Sequence, residues 1–191
     1  MINGFILHDS ATAPSASAEI LAGVQKAWGF VPNLHRMLAE SPAALEAYTT
    51  LWRLAEQTGF TPVERNVAYL AIIYENECTY CMAGHTNLSR RAHVDADAIA
   101  AVREGRPIAD PKLEALRQFA ALVTRRRGFV GEADVTAFKA AGYDNRAVLE
   151  VLVLGATKLI SNYANHLADT PNDAFMKGAE WTAPGKLHRA A

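Results

Sequence analysis

The sequence is poor in cysteine, in charge of one sign and in long hydrophobic runs. Cysteine occurs twice in 191 residues, at Cys78 and Cys81. Two cysteines separated by two residues cannot build a disulfide framework, which implies a reducing compartment, with the cytoplasm as the expected location. The 19 Lys and Arg against 20 Asp and Glu leave a net charge of −1, and no basic face for nucleic acid follows from that balance. The one basic cluster, Arg125-Arg126-Arg127, reads as a solvated helix end. The longest apolar run, Val148 to Gly155, is interrupted by Glu150 and is too short to span a bilayer. The start, MINGFILHDS, carries a short apolar patch without a basic leader, so no secretory signal is expected there.

What is present is a globular composition, half hydrophobic and one fifth charged, long enough for a continuous core. Helical signals dominate. Ser41-Pro42 and Thr61-Pro62-Val-Glu64 each place a capping hydroxyl before a proline at the first helical position. Helices are predicted over 43–57, 63–74, 78–91, 95–103, 111–126, 132–140, 145–166 and 173–179. The β-branched residues fall at helical spacing, so the predicted fold class is all-α. A flexible arm is expected at 1–19, one helical domain at 20–180 and a tail at 181–191.

The chain also repeats itself. Leu45-Glu-Ala matches Leu113-Glu-Ala, and Val67-Ala-Tyr-Leu-Ala-Ile-Ile lines up with Val148-Leu-Glu-Val-Leu-Val-Leu once a helix added at 132–142 is allowed for. In this register Cys78 falls on Leu159, Cys81 on Asn162 and His85 on His166. Two copies of one helical unit are therefore expected, about 42–104 and 110–172, with thiols only in the first. Their apolar faces exceed what two small units cover alone, which predicts a homo-oligomer.

The stretch YENECTYCMAGH, residues 74–85, holds both cysteines and His85. Three readings stand. As small hydrophobes the cysteines would sit in the core, but their neighbours are polar. As zinc ligands, Cys78, Cys81 and His85 would need a fourth group, water or His166. As a redox couple, Asn76 would cap a helix whose first turn carries Cys78, where unpaired N–H groups and the macrodipole favour thiolate. Cys81 follows one turn later on the same face and His85 one turn beyond that, placed to take a thiol proton.

The motif Cys78-x-Tyr80-Cys81-x3-His85, with Asn76 and the Thr61-Pro62 helix start before it, resembles the AhpD-like alkylhydroperoxidases of the carboxymuconolactone decarboxylase superfamily. Gly29-Phe-Val-Pro-Asn-Leu34, Leu38-Ala-x-Ser-Pro42 and Asn162-Tyr-Ala-Asn-His-Leu-Ala-Asp-Thr170 resemble the flanking sequence of that family. The resemblance implies an all-helical fold of repeated units assembled into dimers, trimers or hexamers. It implies a peroxide-attacking Cys81, a resolving Cys78 and His85 in a proton relay. The substrate would be a hydroperoxide, recycling would use an external dithiol on a lipoyl-bearing or thioredoxin-like protein, and no haem, flavin or metal would be needed. The alternative is a redox-sensing or zinc-binding protein built on the same cluster. Two positions depart from the family pattern. Asn66 stands where a relay glutamate is expected, and Tyr80 replaces a histidine between the cysteines. Glu75 is the first substitute carboxylate, with Glu77 and Glu64 behind it, while Tyr80 and His166 complete the candidates.

Overall fold

A computed structural model describes residues 3–185. Among these residues there are nine α-helices and no strand: α1 (Ser15–Trp28), α2 (Asn33–Leu38), α3 (Pro42–Ala55), α4 (Pro62–Asn76), α5 (Thr79–Arg91), α6 (Ala96–Arg103), α7 (Pro111–Arg125), α8 (Glu132–Ala140) and α9 (Asn145–Ala168). The predicted caps form. Ser41 accepts from the Ala44 amide, and Thr61 and Glu64 make a reciprocal capping box at the start of α4.

α4 is the centre of the molecule. Val67 to Ile73 are all buried, an apolar surface on every side rather than a stripe, so the helix is enclosed, with α5, α6, α7 and α9 packed against it. α9 also packs on α3. Its buried face carries Val151 and Leu154, then turns polar with Thr157, Lys158, Ser161, Asn162 and Asn165. A core helix face with five polar residues in succession is unusual, because each buried polar group needs a partner. On the opposite face Leu149, Leu152, Leu159, Tyr163 and Leu167 are half or more exposed. By length and composition α9 is also apolar enough to cross a membrane.

Three expectations need correction. α1 begins at Ser15, inside the segment expected as an arm, because Ser17, Leu21 and Val24 form one buried helical stripe. Ahead of it His8 is buried, its Nε2 2.8 Å from Glu40, and Arg36 donates to the carbonyls of Leu7 and His8. The helix predicted over 173–179 is a single 3-10 turn, Ala174–Met176. Part of the expected tail is packed, since the Trp181 indole N–H donates to the Arg103 carbonyl, while residues 1–2 and 186–191 lie outside the described residues. In the register of the expected repeat, residues 157–160 fall inside α9, which runs unbroken where α4 and α5 are separated between Asn76 and Thr79.

Candidate active site

The break between α4 and α5 creates the site. Glu77 adopts a left-handed conformation (φ 55°) and Cys78 an extended one, so the chain turns sharply and restarts. Cys78, not Asn76, is the cap of α5: its Sγ accepts from the Cys81 amide at 3.4 Å. Asn76 instead ends α4 and donates to Asn162 Oδ1 of α9 at 2.8 Å. Both sulfurs therefore lie at the positive end of α5, and both are buried.

Their surroundings separate them. Burial alone would raise the Cys81 pKa, but the hydrogen bond from the Cys78 thiol, the Lys158 charge and the Asn165 and Asn162 amides outweigh it and bring Cys81 from 9.0 down to about 6. Asn165 Nδ2 donates to Cys81 Sγ at 3.2 Å. Cys78 goes the other way: burial, then its hydrogen bond and charge contact with Cys81, push its thiol well above the ordinary value. One thiolate and one thiol result.

Behind Cys81 stands Lys158, 1 % exposed. Its Nζ donates to His85 Nε2 at 2.8 Å and lies over the faces of Tyr69 (4.7 Å) and Trp52 (5.4 Å). Those contacts provide no anion, so the negative charge that offsets this buried cation is the Cys81 thiolate. Burial, followed by the Lys158 charge, holds the His85 pKa well below its usual value. His85 is thus a neutral acceptor for Lys158, which replaces the expectation that its ring serves as the free base of the thiol.

Cys81, His85 and Lys158 open on a cavity of about 40 Å³ walled by Trp28, Leu34, Tyr48 and Trp52, which holds a few water-sized groups at about 10–15 Å³ each. His35 joins this wall, and burial lowers its pKa to about 4. Phe175 and Met176 line it as well. Tyr80 holds the segment that carries them: its hydroxyl donates to Asp173, accepts from the Leu34 amide, and so ties α5 to α2 and to the chain after α9. Asn87 donates to the Phe175 carbonyl at 2.7 Å. Gly84 lets Met176 approach, since a Cβ there would meet the methionine methyl at 3.0 Å.

Residues 42–109 match the carboxymuconolactone decarboxylase family. The solved structure of an alkylhydroperoxidase AhpD core, an uncharacterized peroxidase-related protein from Ralstonia eutropha JMP134, superposes with a TM-score of 0.77 at 27% identity, over 90% of this chain and 93% of that one. Residues 42–109 thus carry a carboxymuconolactone decarboxylase family domain, and the chain as a whole has the AhpD-like fold. An uncharacterized peroxidase-related protein from Silicibacter sp. TM1040 shares the fold of this AhpD-like chain at a TM-score of 0.71 and 20% identity, over 87% and 90% of the two chains. So does a cysteine-to-alanine variant of the debrominase Bmp8 in complex with 2,3,4-tribromopyrrole, at 0.75 and 17%, over 94% and 96%. No curated protein matches the sequence.

The AhpD-like site gathers Cys78, Cys81, His85 and Tyr80 and leaves other candidates outside. Glu75 faces Arg125 at 3.7 Å, and Glu64 caps α4 while pairing with Lys112 at 2.8 Å. Glu77 is buried at the turn before Cys78. Asn66 donates to the Pro62 carbonyl of its own helix. His166 is exposed on α9, stacked 6.4 Å from Tyr163. No cluster of three His, Cys, Asp or Glu side chains among the described residues is placed to hold a metal ion. Lys158, Asn162 and Asn165 were missed from sequence. The available signal was Lys158 itself, the one charged side chain of α9 between Glu150 and His166.

Proposed function

We propose that this AhpD-like protein is a thiol peroxidase, an enzyme of a reducing, cytoplasmic compartment, with Cys81 as the attacking sulfur. The observation that carries this reading is the asymmetric pair: a Cys81 sulfur stabilised as thiolate by Asn165 and Lys158, capped by a Cys78 that keeps its proton. Cys81–S⁻ attacks the distal oxygen of R–O–O–H. The S–O bond forms and the O–O bond breaks, so sulfur becomes a sulfenic acid, and the released R–O⁻ takes a proton and leaves as R–OH. The Cys78 sulfur, one turn away, then displaces hydroxide from the sulfenic sulfur. Its own proton leaves with that hydroxide as water, and the disulfide closes. An external dithiol, lipoyl-bearing or thioredoxin-like, reduces the disulfide by exchange. The debrominase of the same fold is solved in complex with 2,3,4-tribromopyrrole. The small cavity favours hydrogen peroxide and small alkyl hydroperoxides over a halogenated ring. Purified reduced protein mixed with hydrogen peroxide, tert-butyl hydroperoxide and cumene hydroperoxide, with dihydrolipoamide as reductant, is expected to show turnover on at least one. No consumption, and no Cys78–Cys81 disulfide by mass spectrometry, would refute the reading.

The protein acts as a homo-oligomer with a second copy on the exposed face of α9. Leu149, Leu152, Ala156, Leu159 and Tyr163 follow the alternating three- and four-residue spacing of a coiled-coil seam. Gly155 and Ala156 near its middle let two such helices approach closely, and the groove beside it is lined by Ile72, Val123 and Val151. A face of this kind pairs with itself across a two-fold axis. Sedimentation should show an assembly that the double substitution Leu152→Glu, Leu159→Glu dissociates; a wild-type monomer of 20.7 kDa at micromolar concentration would remove the claim.

A further inference from the structure

We infer that Lys158 supplies, through His85, the proton taken up by the oxygen that leaves when Cys81 attacks a hydroperoxide. The inference rests on the peroxidase reading and adds the origin of a proton that neither cysteine can spare. Cys81 enters the step already ionised. The Cys78 proton is in the hydrogen bond that steadies the thiolate, and it is required afterwards, when water leaves the sulfenic acid.

The geometry of the relay is specific. Lys158 donates to His85 Nε2, so a neutral His85 ring carries its own proton on Nδ1. Nδ1 is buried and has no hydrogen-bond partner, although a ring N–H in such a place costs free energy when left unpaired. The ring lines the cavity with Cys81. An oxygen leaving in that cavity can take the Nδ1 proton as Nε2 receives one from Lys158. The imidazole changes tautomer, stays neutral throughout, and ends with a neutral amine at Lys158. The positive charge of Lys158 and the negative charge of Cys81 disappear in one step. No buried charge is left unpaired.

The titratable groups facing Lys158 are His35 from α2, Tyr48 from α3, Tyr69 from α4, and Cys78, Cys81 and His85 from α5. His35 and His85 are held neutral, and both Tyr48 and Tyr69 are pushed above their ordinary value by burial, so they keep their protons. Lys158 is the member that can give up a proton near neutral pH: burial brings it from 10.5 down to about 8, against the opposing pull of the two cysteines. Its position also explains how the chain manages with Asn66 where a relay carboxylate is expected.

The test uses single-turnover oxidation of Cys81 in the full-length Cys78→Ser protein, read by intact mass, across pH. With tert-butyl hydroperoxide the rate should rise as Cys81 ionises and fall again as Lys158 loses its proton, near pH 8. Iodoacetamide alkylation of Cys81, which needs only the thiolate, should lack the fall. Lys158→Arg keeps the charge but cannot release a proton in this range. It should leave the alkylation midpoint within about half a unit while slowing oxidation about 100-fold and abolishing the alkaline limb. Lys158→Met should raise the alkylation midpoint as well. A merely structural lysine would move both reactions together. Dimethyl disulfide, whose leaving methanethiolate also needs a proton, separates this claim from the peroxidase claim. If hydroperoxides are inert but the disulfide reaction shows the alkaline limb and loses it in Lys158→Arg, the relay stands and the peroxidase reading falls. An arginine variant that reacts at the wild-type rate with either reagent overturns the relay. So does a flat alkaline limb in the Cys78→Ser protein with Lys158 intact, a reading that needs no folded Lys158 variant.

Discussion

Cys81→Ser is expected to abolish hydroperoxide consumption, whereas Cys78→Ser is expected to allow one oxidation and no more. The difference follows from where each sulfur sits. By nearness to the helix start alone, Cys78 would be the better thiolate, since a helix dipole contributes about 1 kcal/mol at its terminus. The structure sets against this an amide donor at 3.2 Å and a buried ammonium, both directed at Cys81. Cys78 has the opposite surroundings, with burial and a neighbouring negative sulfur. In Cys78→Ser the sulfenic acid on Cys81 therefore has no thiol to close on, and dimedone should trap it there in stoichiometric amount, read by peptide mass spectrometry. Sulfenylation of Cys78 in the Cys81→Ser protein would reverse the assignment. Full activity in both single mutants would end the redox reading altogether.

The reduced protein is expected to gain stability between pH 6.5 and 8, and the double variant Cys81→Ser, Lys158→Met to lose most of that gain. Cys81 has a folded pKa of about 6 against 9.0 for an ordinary thiol. A depressed acid contributes stability that is fully present above the unfolded value and is lost as pH falls through the folded value, so the slope lies between about 6 and 9. Each pH unit in that window is worth roughly 1 kcal/mol. The other shifted groups overlap the chosen interval only at its edges, by about 0.4 kcal/mol each. His35 and His85, both depressed, lower stability as pH falls through their ordinary 6.5. Lys158, depressed to about 8, adds stability as pH rises through that value. Cys78, raised above an ordinary thiol, lowers stability as pH rises through 9.0. Urea midpoints at pH 6.5 and 8 under reducing conditions should therefore separate by about 1–2 kcal/mol more in the native sequence than in the double variant Cys81→Ser, Lys158→Met, which removes the thiolate together with the ammonium it offsets. Equal separations in both proteins would show that Cys81 does not ionise as proposed.

The sequence by itself determined the fold class, because the signals for helix are local. Ser41-Pro42 and Thr61-Pro62 start helices wherever they stand, and the periodic apolar residues between 43 and 166 say which faces turn inward. It also brought Cys78, Tyr80, Cys81 and His85 together, since all lie within two turns of one helix. Only the tertiary structure decided the rest. Cys78 is a cap rather than a first-turn residue because Glu77 breaks the chain in a left-handed turn, a conformation that no residue-type preference announces for glutamate. Tyr80 ties the segment after α9 to α5 because Asp173, far along the chain, comes to meet it. The charge that makes Cys81 a thiolate belongs to Lys158, on a helix that shares no sequence neighbourhood with the cysteines. A lone lysine in an apolar helix is visible in the sequence. What it faces depends on how α9 crosses α3 and α4, and electrostatics between buried groups depends on distances of a few ångströms that only packing sets.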